Sequence, residues 1–292
     1  MDALSPLLAR AERLAARLEA LLPAVPVAPD WSASAYRWRK RNGQGYLQSV
    51  THPHVIRLAD LQGVDPQKAA LQRNTCQFVR GLPANNALLT GARGTGKSSL
   101  IKALLTEFAG EGLRLVEVDK HDLVDLPDIA ELLQARAERF IVYCDDLSFE
   151  SGEPGYKALK VALDGSIAGA SDNMLIYATS NRRHLMPESM AENLQTSYVG
   201  DEIRPGEATE EKISLSERFG LWLSFYPFDQ DEYLAIVRHW LRTLGIARLT
   251  PPARRAALQW ALGRGSRSGR VAWQFARDWA GQQRLRRNSG DG

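Results

Sequence analysis

Cysteine is scarce in this chain. Cys76 and Cys144 are the only two, far apart and outside any CxxC pair. That excludes a disulfide framework and a zinc knuckle, and leads us to expect a reduced, cytoplasmic setting. Long apolar runs are missing as well. The leucine-rich start is interrupted by Arg10, Arg13 and Arg17, and no stretch of about 18 apolar residues occurs, so a soluble protein with no membrane partner is expected. A surplus of one charge is also lacking. The 37 basic and 34 acidic side chains leave a formal charge of +3, too little for a protein dedicated to coating DNA. No NKxD string is present to support guanine selectivity.

What the chain does have is core. At 292 residues and 44% hydrophobic content it can bury about three quarters of its unfolded surface, enough for one large domain or two modest ones. Charge is unevenly spread. Residues 251–292 hold nine arginines and two aspartates, whereas 188–212 hold seven acids and two bases. That asymmetry suits subunits meeting head to tail, and solvated faces explain it almost as well.

Four regions follow from the pattern. Residues 1–53 comprise an amphipathic helix, a Pro-rich linker and a basic aromatic segment. The helix is signalled by Ser5 as N-cap, Pro6 at the first helical position and leucines at 7, 14, 18 and 21. The linker "PAVPVAP" stiffens the chain toward polyproline geometry. The segment around 36–46, "YRWRKRNGQGYL", mixes rings and bases, which suits nucleic-acid contact by stacking and phosphate pairing, an exposed basic strand or a subunit contact. Residues 54–228 alternate short apolar strands, at 86–90, 113–118, 139–144, 174–179 and 221–226, with helical intervals. Such runs imply a parallel sheet covered on both faces, with ligands beyond the carboxyl ends of its strands. Residues 229–283 read as an all-helical module, and 284–292 as a disordered tail.

The strand "NALLT" runs into "GARGTGKSS", so that Gly91, Gly96, Lys97 and Ser98 match GxxxxGK[ST] between a strand and a helix. Glycines 91, 94 and 96 let the backbone curl its N–H groups around a β-phosphate. Lys97 then reaches the β/γ oxygens and Ser98 ligates Mg2+, while Arg93, Gly94, Thr95 and Ser99 complete the cradle. A nucleoside triphosphate, ATP with Mg2+, is the expected ligand.

Asp145 closes the apolar strand "RFIVYC" in the position of a Walker B acid, where it would hold the water shell of the cation. Asp146 stands where hydrolytic relatives carry a glutamate that polarises water. Being one methylene shorter, it needs a closer water or help from Glu150. "MLIYATSN" ends in Asn181, a candidate to orient the water, with Thr179 or Ser180 as fallback. One of Arg182 and Arg183, before His184, either contacts phosphate or a neighbour, or belongs to an exposed turn. Arg218, just before the fifth strand, is either an arginine finger reaching a neighbouring subunit's ATP or an ordinary helix-terminal base. "GSRSGRVAWQF" begins the last helix with Arg267 and Arg270. A basic helix start opposes the helix dipole and asks for an external anion, with Arg270 preferred for the γ-phosphate.

The order of these parts resembles the AAA+ ATPase superfamily. The strings "PANNALLTGARGTGKSSLIKA", "FIVYCDDLSFE", "YATSNRRHL", "EKISLSERFGLWLSFYPF" and "RSGRVAWQF" are similar to one uncharacterised bacterial family within it, an ATP-binding domain of unknown function, over roughly 54–278. The resemblance implies an α/β P-loop NTPase of AAA+ type: a five-stranded parallel sheet in the order 5-1-4-3-2, a helical lid, ATP between them and often a hexameric ring. It implies Asp145 and Asp146 as Walker B, Asn181 as sensor 1, Arg218 as the finger, Arg270 as sensor 2, and adenine contacts around Leu61, Gly63 and Val64. The functional expectation is a homo-oligomeric ATP hydrolase that remodels an unknown protein client or nucleic acid. A DNA-associated loader or initiator, and a slow ATP-controlled interaction switch, are the alternatives. Small-molecule kinase activity is disfavoured because no second substrate pocket is suggested.

Overall fold

The structure, a computed structural model, describes residues 28–149, 153–164, 172–182, 185, 197–199, 202–204 and 215–288, with Arg10, Glu12 and Arg13. Most of the expected N-terminal helix, together with Glu150, Arg183 and His184, lies outside the described residues. In chain order the elements are β1 (Ala35–Arg41), β2 (Gln44–Ser49), α1 (Asp65–Val79), β3 (Ala87–Gly91), α2 (Lys97–Phe108), β4 (Leu113–Glu117), α3 (Leu126–Gln134), β5 (Arg139–Cys144), α4 (Pro154–Asp164) and β6 (Met174–Ser180). They continue with β7 (Ser197–Val199), β8 (Glu202–Arg204), β9 (Leu221–Phe225), α5 (Gln230–Thr243), α6 (Pro251–Gly263) and α7 (Gly269–Asn288). No helix among the described residues is long and apolar enough to cross a membrane.

One sheet organises the core, in the order β2-β1-β4-β5-β6-β3-β9. The five strands read from the sequence occupy its parallel part, and β9-β3-β6-β5-β4 is the expected 5-1-4-3-2 order. The expected count of five is corrected to seven. The basic aromatic segment forms a β1–β2 hairpin whose first strand pairs in parallel with β4, so a boundary at residue 54 would cut through the sheet. The hairpin turn is Asn42-Gly43, with φ of 52° and 79°, the left-handed pair that a two-residue connection requires. Trp38 fixes it to the core: its ring lies across Gly45, and its indole N–H donates to Asp125 at 2.8 Å.

Two apolar layers cover the sheet. One, on the side of α1 and α2, joins Leu71, Leu89, Leu104, Leu115, Ile141 and Tyr177; the other, under α3 and α4, joins Leu88, Ile129, Val142, Phe149, Leu159 and Ile176. Leu88 and Leu89 are fully buried on opposite faces of β3, each worth roughly 2 kcal/mol. This explains why the strands read as continuous apolar runs rather than as an alternation.

Beyond β9, α5, α6 and α7 pack around Tyr233, Val237, Ala257, Ala272 and Ala276, all fully buried. Asp229 caps α5 by accepting the N–H groups of Asp231 and Glu232 at 2.8 Å, while Glu232 accepts the Asp229 N–H at 2.9 Å. The last helix continues through Asn288, into the stretch expected to be a disordered tail.

Candidate nucleotide site

The site begins where β3 ends. Gly91 leaves the strand with φ +134°, and a Cβ there would lie 1.9 Å from the Phe225 carbonyl oxygen on neighbouring β9. Only glycine lets the loop pass so close to that strand. Gly94, at φ +77°, approaches the start of α7: its carbonyl accepts the Gly269 N–H at 2.9 Å, and a Cβ would meet the Ser268 side chain at 2.8 Å. The loop is thus pinned between sheet and helical module before it enters α2 at Lys97.

Lys97 is 5% exposed. Its ammonium donates to the carbonyls of Gly91 at 2.7 Å and Ala92 at 2.8 Å and to Asn181 Oδ1 at 3.1 Å. Burial pulls its pKa below the usual lysine value, opposed by the nearby carboxylates of Asp145 and Asp146. Among the described residues no carboxylate reaches ion-pair distance of this charge, so an external anion is its natural counter-charge.

The acidic strand tip meets the loop directly. Ser98 Oγ donates to Asp145 Oδ1 at 2.6 Å, and Thr179 Oγ1 donates to the same oxygen at 2.5 Å. Burial pushes the Asp145 carboxyl up, but hydrogen bonds, chiefly from Ser98 and Thr179, outweigh it and hold the pKa below the ordinary value. Asp145 is therefore an anion at neutral pH. Asp146 follows with φ +53°, its N–H donating to Thr179 Oγ1 at 3.0 Å. Asn181 Nδ2 donates to Asp146 Oδ1 at 2.5 Å, and Arg93 Nη2 lies 3.7 Å from the other carboxylate oxygen. Asn181 thereby joins Lys97 to Asp146 across the ends of β3, β5 and β6.

The donors suit a hard cation. Ser98 offers a hydroxyl and Asp145 a carboxylate, and the fully buried Tyr143 hydroxyl beside them has no hydrogen bond of good geometry. No group of three or more His, Cys, Asp or Glu that could hold a metal occurs among the described residues. Two protein oxygens without a cage is how Mg2+ is held when phosphates and waters supply the remaining ligands.

These groups line a cleft of about 660 Å³ between the sheet's carboxyl edge and the helical module. Arg93, Gly94, Thr95, Gly96, Lys97, Ser98 and Ser99 form its floor, with Asp145, Asp146, Thr179 and Asn181 on one side. Leu61 and Val64 also line the cleft, whereas Gly63 does not; it lies at φ +74° against the Phe228 ring, itself part of the lining. Sequence reasoning missed Ile56, Phe228, Trp240 and Trp273, which complete the apolar lining; the two indole rings lie 4.6 Å apart. The available signal was a tryptophan in each of two amphipathic helices, which core packing explains equally well.

The remaining arginines separate. Arg270 lines the cleft, whereas Arg267 lines an adjoining cavity that shares Arg93, Thr95 and Phe228 with it. Arg218 is not on the cleft wall: its Nε donates to Asp164 Oδ1 at 2.6 Å, at the end of α4. Of the fallback residues, Thr179 is in the site and Ser180 is buried beneath it, accepting the Arg182 N–H at 3.2 Å.

A family model described as "Protein of unknown function (DUF815)" matches residues 31–283. No curated protein matches the chain. Among solved structures, the replication initiator DnaA bound to AMPPCP and single-stranded DNA is similar, with a TM-score of 0.51 and 14% identity over 80% of this chain and 69% of that one. A point mutant of Thermotoga maritima RuvB gives a TM-score of 0.49 and 16% identity over 76% of this chain and 63% of that one, so the chain spans less than two thirds of that relative's length. At these identities the likeness is one of fold: an α/β arrangement with a largely parallel sheet.

Proposed function

This chain belongs to the DUF815 family of proteins of unknown function, and on that premise we propose that it is a magnesium-dependent ATPase that couples hydrolysis to movement between the sheet core and the helical module, acting as a homo-oligomer on a macromolecular partner. The observation that carries this reading is the convergence of Lys97, Ser98, Asp145, Asp146 and Asn181 on one cleft.

In this reading the triphosphate lies over the loop 91–98 and the base against Leu61, Val64 and the tryptophan wall. The Lys97 ammonium exchanges its carbonyl acceptors for β- and γ-phosphate oxygens. Ser98 and Asp145 are the residues that would hold Mg2+, which would supply charge neutralisation on the phosphates. Asp146 accepts a proton from the attacking water, while Asn181, hydrogen-bonded to it, fixes the water's direction. Arg270 approaches the γ-phosphate from the first turn of α7, whose N–H contact with Gly94 links the position of the helical module to the loop. Arg218 serves a neighbouring subunit's nucleotide, consistent with its place away from its own cleft. ATP arrival and phosphate loss would then change the contacts between core and helical module.

Replacing Asp146 by Asn tests the reading. Nucleotide binding is expected to persist within about threefold while steady-state hydrolysis falls at least a hundredfold. Equal turnover in the variant and the wild type would remove Asp146 from the mechanism. A slow switch remains the second reading, favoured because the short Asp146 side chain is engaged by Asn181 at 2.5 Å. A wild-type turnover below about one per minute with tight ATP binding would select it.

A further inference from the structure

The β1–β2 hairpin carries a surface that the nucleotide cleft does not use. Alternation along β1 turns Tyr36 and Trp38 into the core and leaves Arg37, Arg39 and Arg41 on the opposite, exposed face. Cross-strand pairing places Gln48 opposite Arg37, Tyr46 opposite Arg39 and Gln44 opposite Arg41 on that same face. The result is a flat ribbon of three arginines spaced about 6.8 Å apart, with a half-buried tyrosine beside the middle one.

Residues 35–49 contain four basic side chains and no acid. The acids of neighbouring elements are committed to two of them: Glu117 to Arg37 at 2.7 Å, and Asp122 and Asp125 to Lys40 at 3.3 and 2.8 Å. Among the described residues Arg39 meets only Gln48 Oε1, at 3.4 Å, and no carboxylate pairs with Arg39 or Arg41. The ribbon is held rigidly from behind by Trp38 on Asp125 and across Gly45. Its pairing with β4 ends at Arg37–Glu117, so residues 38–41 project beyond the carboxyl end of β4, the edge on which the cleft also lies.

We propose that this face binds single-stranded nucleic acid. The arginine spacing is close to the phosphate repeat of an extended strand, and Tyr46 offers a ring on which an unpaired base can stack. A duplex hides its base faces and would engage only the charges. Arg37 contributes less than its neighbours because Glu117 already neutralises it. The surface goes beyond the ATPase reading and does not depend on it.

The test uses the full chain without ATP. Fluorescence anisotropy of labelled oligothymidylate and oligouridylate, about 20 nucleotides long, would be followed between about 50 and 200 mM salt. The expected result is binding that weakens with salt, with a duplex of equal length competing at least tenfold less well. The double variant Arg39→Gln/Arg41→Gln should bind at least tenfold more weakly and lower the salt slope by about 1.4, two phosphates at roughly 0.7 each. Tyr46→Leu should weaken binding roughly fivefold and leave the slope unchanged. The ratio of the two oligonucleotides identifies DNA or RNA as the better ligand. Absence of binding at 50 mM salt, equal affinity of the double variant at matched melting temperature, or polyglutamate competing as well as the oligonucleotide would overturn the proposal, the last by making the face a site for acidic protein. The single variant Arg41→Gln, at the hairpin end, gives the same reading if the double variant is unstable.

Discussion

Replacing Lys97 by Met separates stability from ligand binding. The ammonium makes three hydrogen bonds to neutral oxygens, and its burial lowers its pKa, so the fold holds this charge at a desolvation cost. Methionine keeps the length and apolar stem, loses the three bonds and removes the desolvated charge. These effects oppose each other, and folding stability should change by no more than about 1 kcal/mol. Binding has no such cancellation. A unit charge about 4 Å from a phosphate at an effective dielectric near 20 is worth about 4 kcal/mol, of which releasing the loop carbonyls consumes about 1 to 2. A net loss of about 2 to 3 kcal/mol is a 30- to 150-fold weaker affinity. Titration with a fluorescent ATP analogue reads the second quantity and urea denaturation the first. A variant that binds within threefold of wild type, or one that loses more than about 3 kcal/mol of stability, would refute the reasoning.

Gly91→Ala should abolish folding or cost more than about 4 kcal/mol, because its Cβ would stand 1.9 Å from a backbone oxygen that cannot move aside; wild-type thermal melting would contradict this. Arg218→Ala should lose turnover alone and regain it in assemblies mixed with Asp146→Asn subunits, which carry an intact arginine; no recovery at matched assembly would defeat the role in trans. Hydrogen bonds from Arg57 chiefly, and from His239, hold the Asp60 carboxyl below its ordinary value of 3.8 despite its burial. Its contribution to stability is therefore present above that value and lost as pH falls through the lower folded-state value. Asp60→Asn should flatten the acid limb of the stability profile, and an unchanged acid limb would count against the Asp60 assignment.

The sequence by itself determined the parallel core, because buried strands such as "NALLT" and "RFIVYC" must be apolar on both faces and stop abruptly at polar residues. It also determined the loop at 91–98, because closing a backbone around phosphate needs glycine, lysine and serine at fixed separations. The hairpin was partly legible: Asn42-Gly43 between alternating aromatics is a turn signal, but the arginines along β1 resemble any solvated run until Trp38 is seen on Asp125 and Gly45. Tertiary structure alone decided that Asn181 bridges Lys97 to Asp146, that Arg270 rather than Arg267 faces the cleft, and that Arg218 sits with Asp164. The tryptophan wall likewise exists only once α5 and α7 fold against the core. Local patterns encode how each segment buries itself, whereas contacts between residues scores of positions apart depend on strand order and packing angle, which no short window contains.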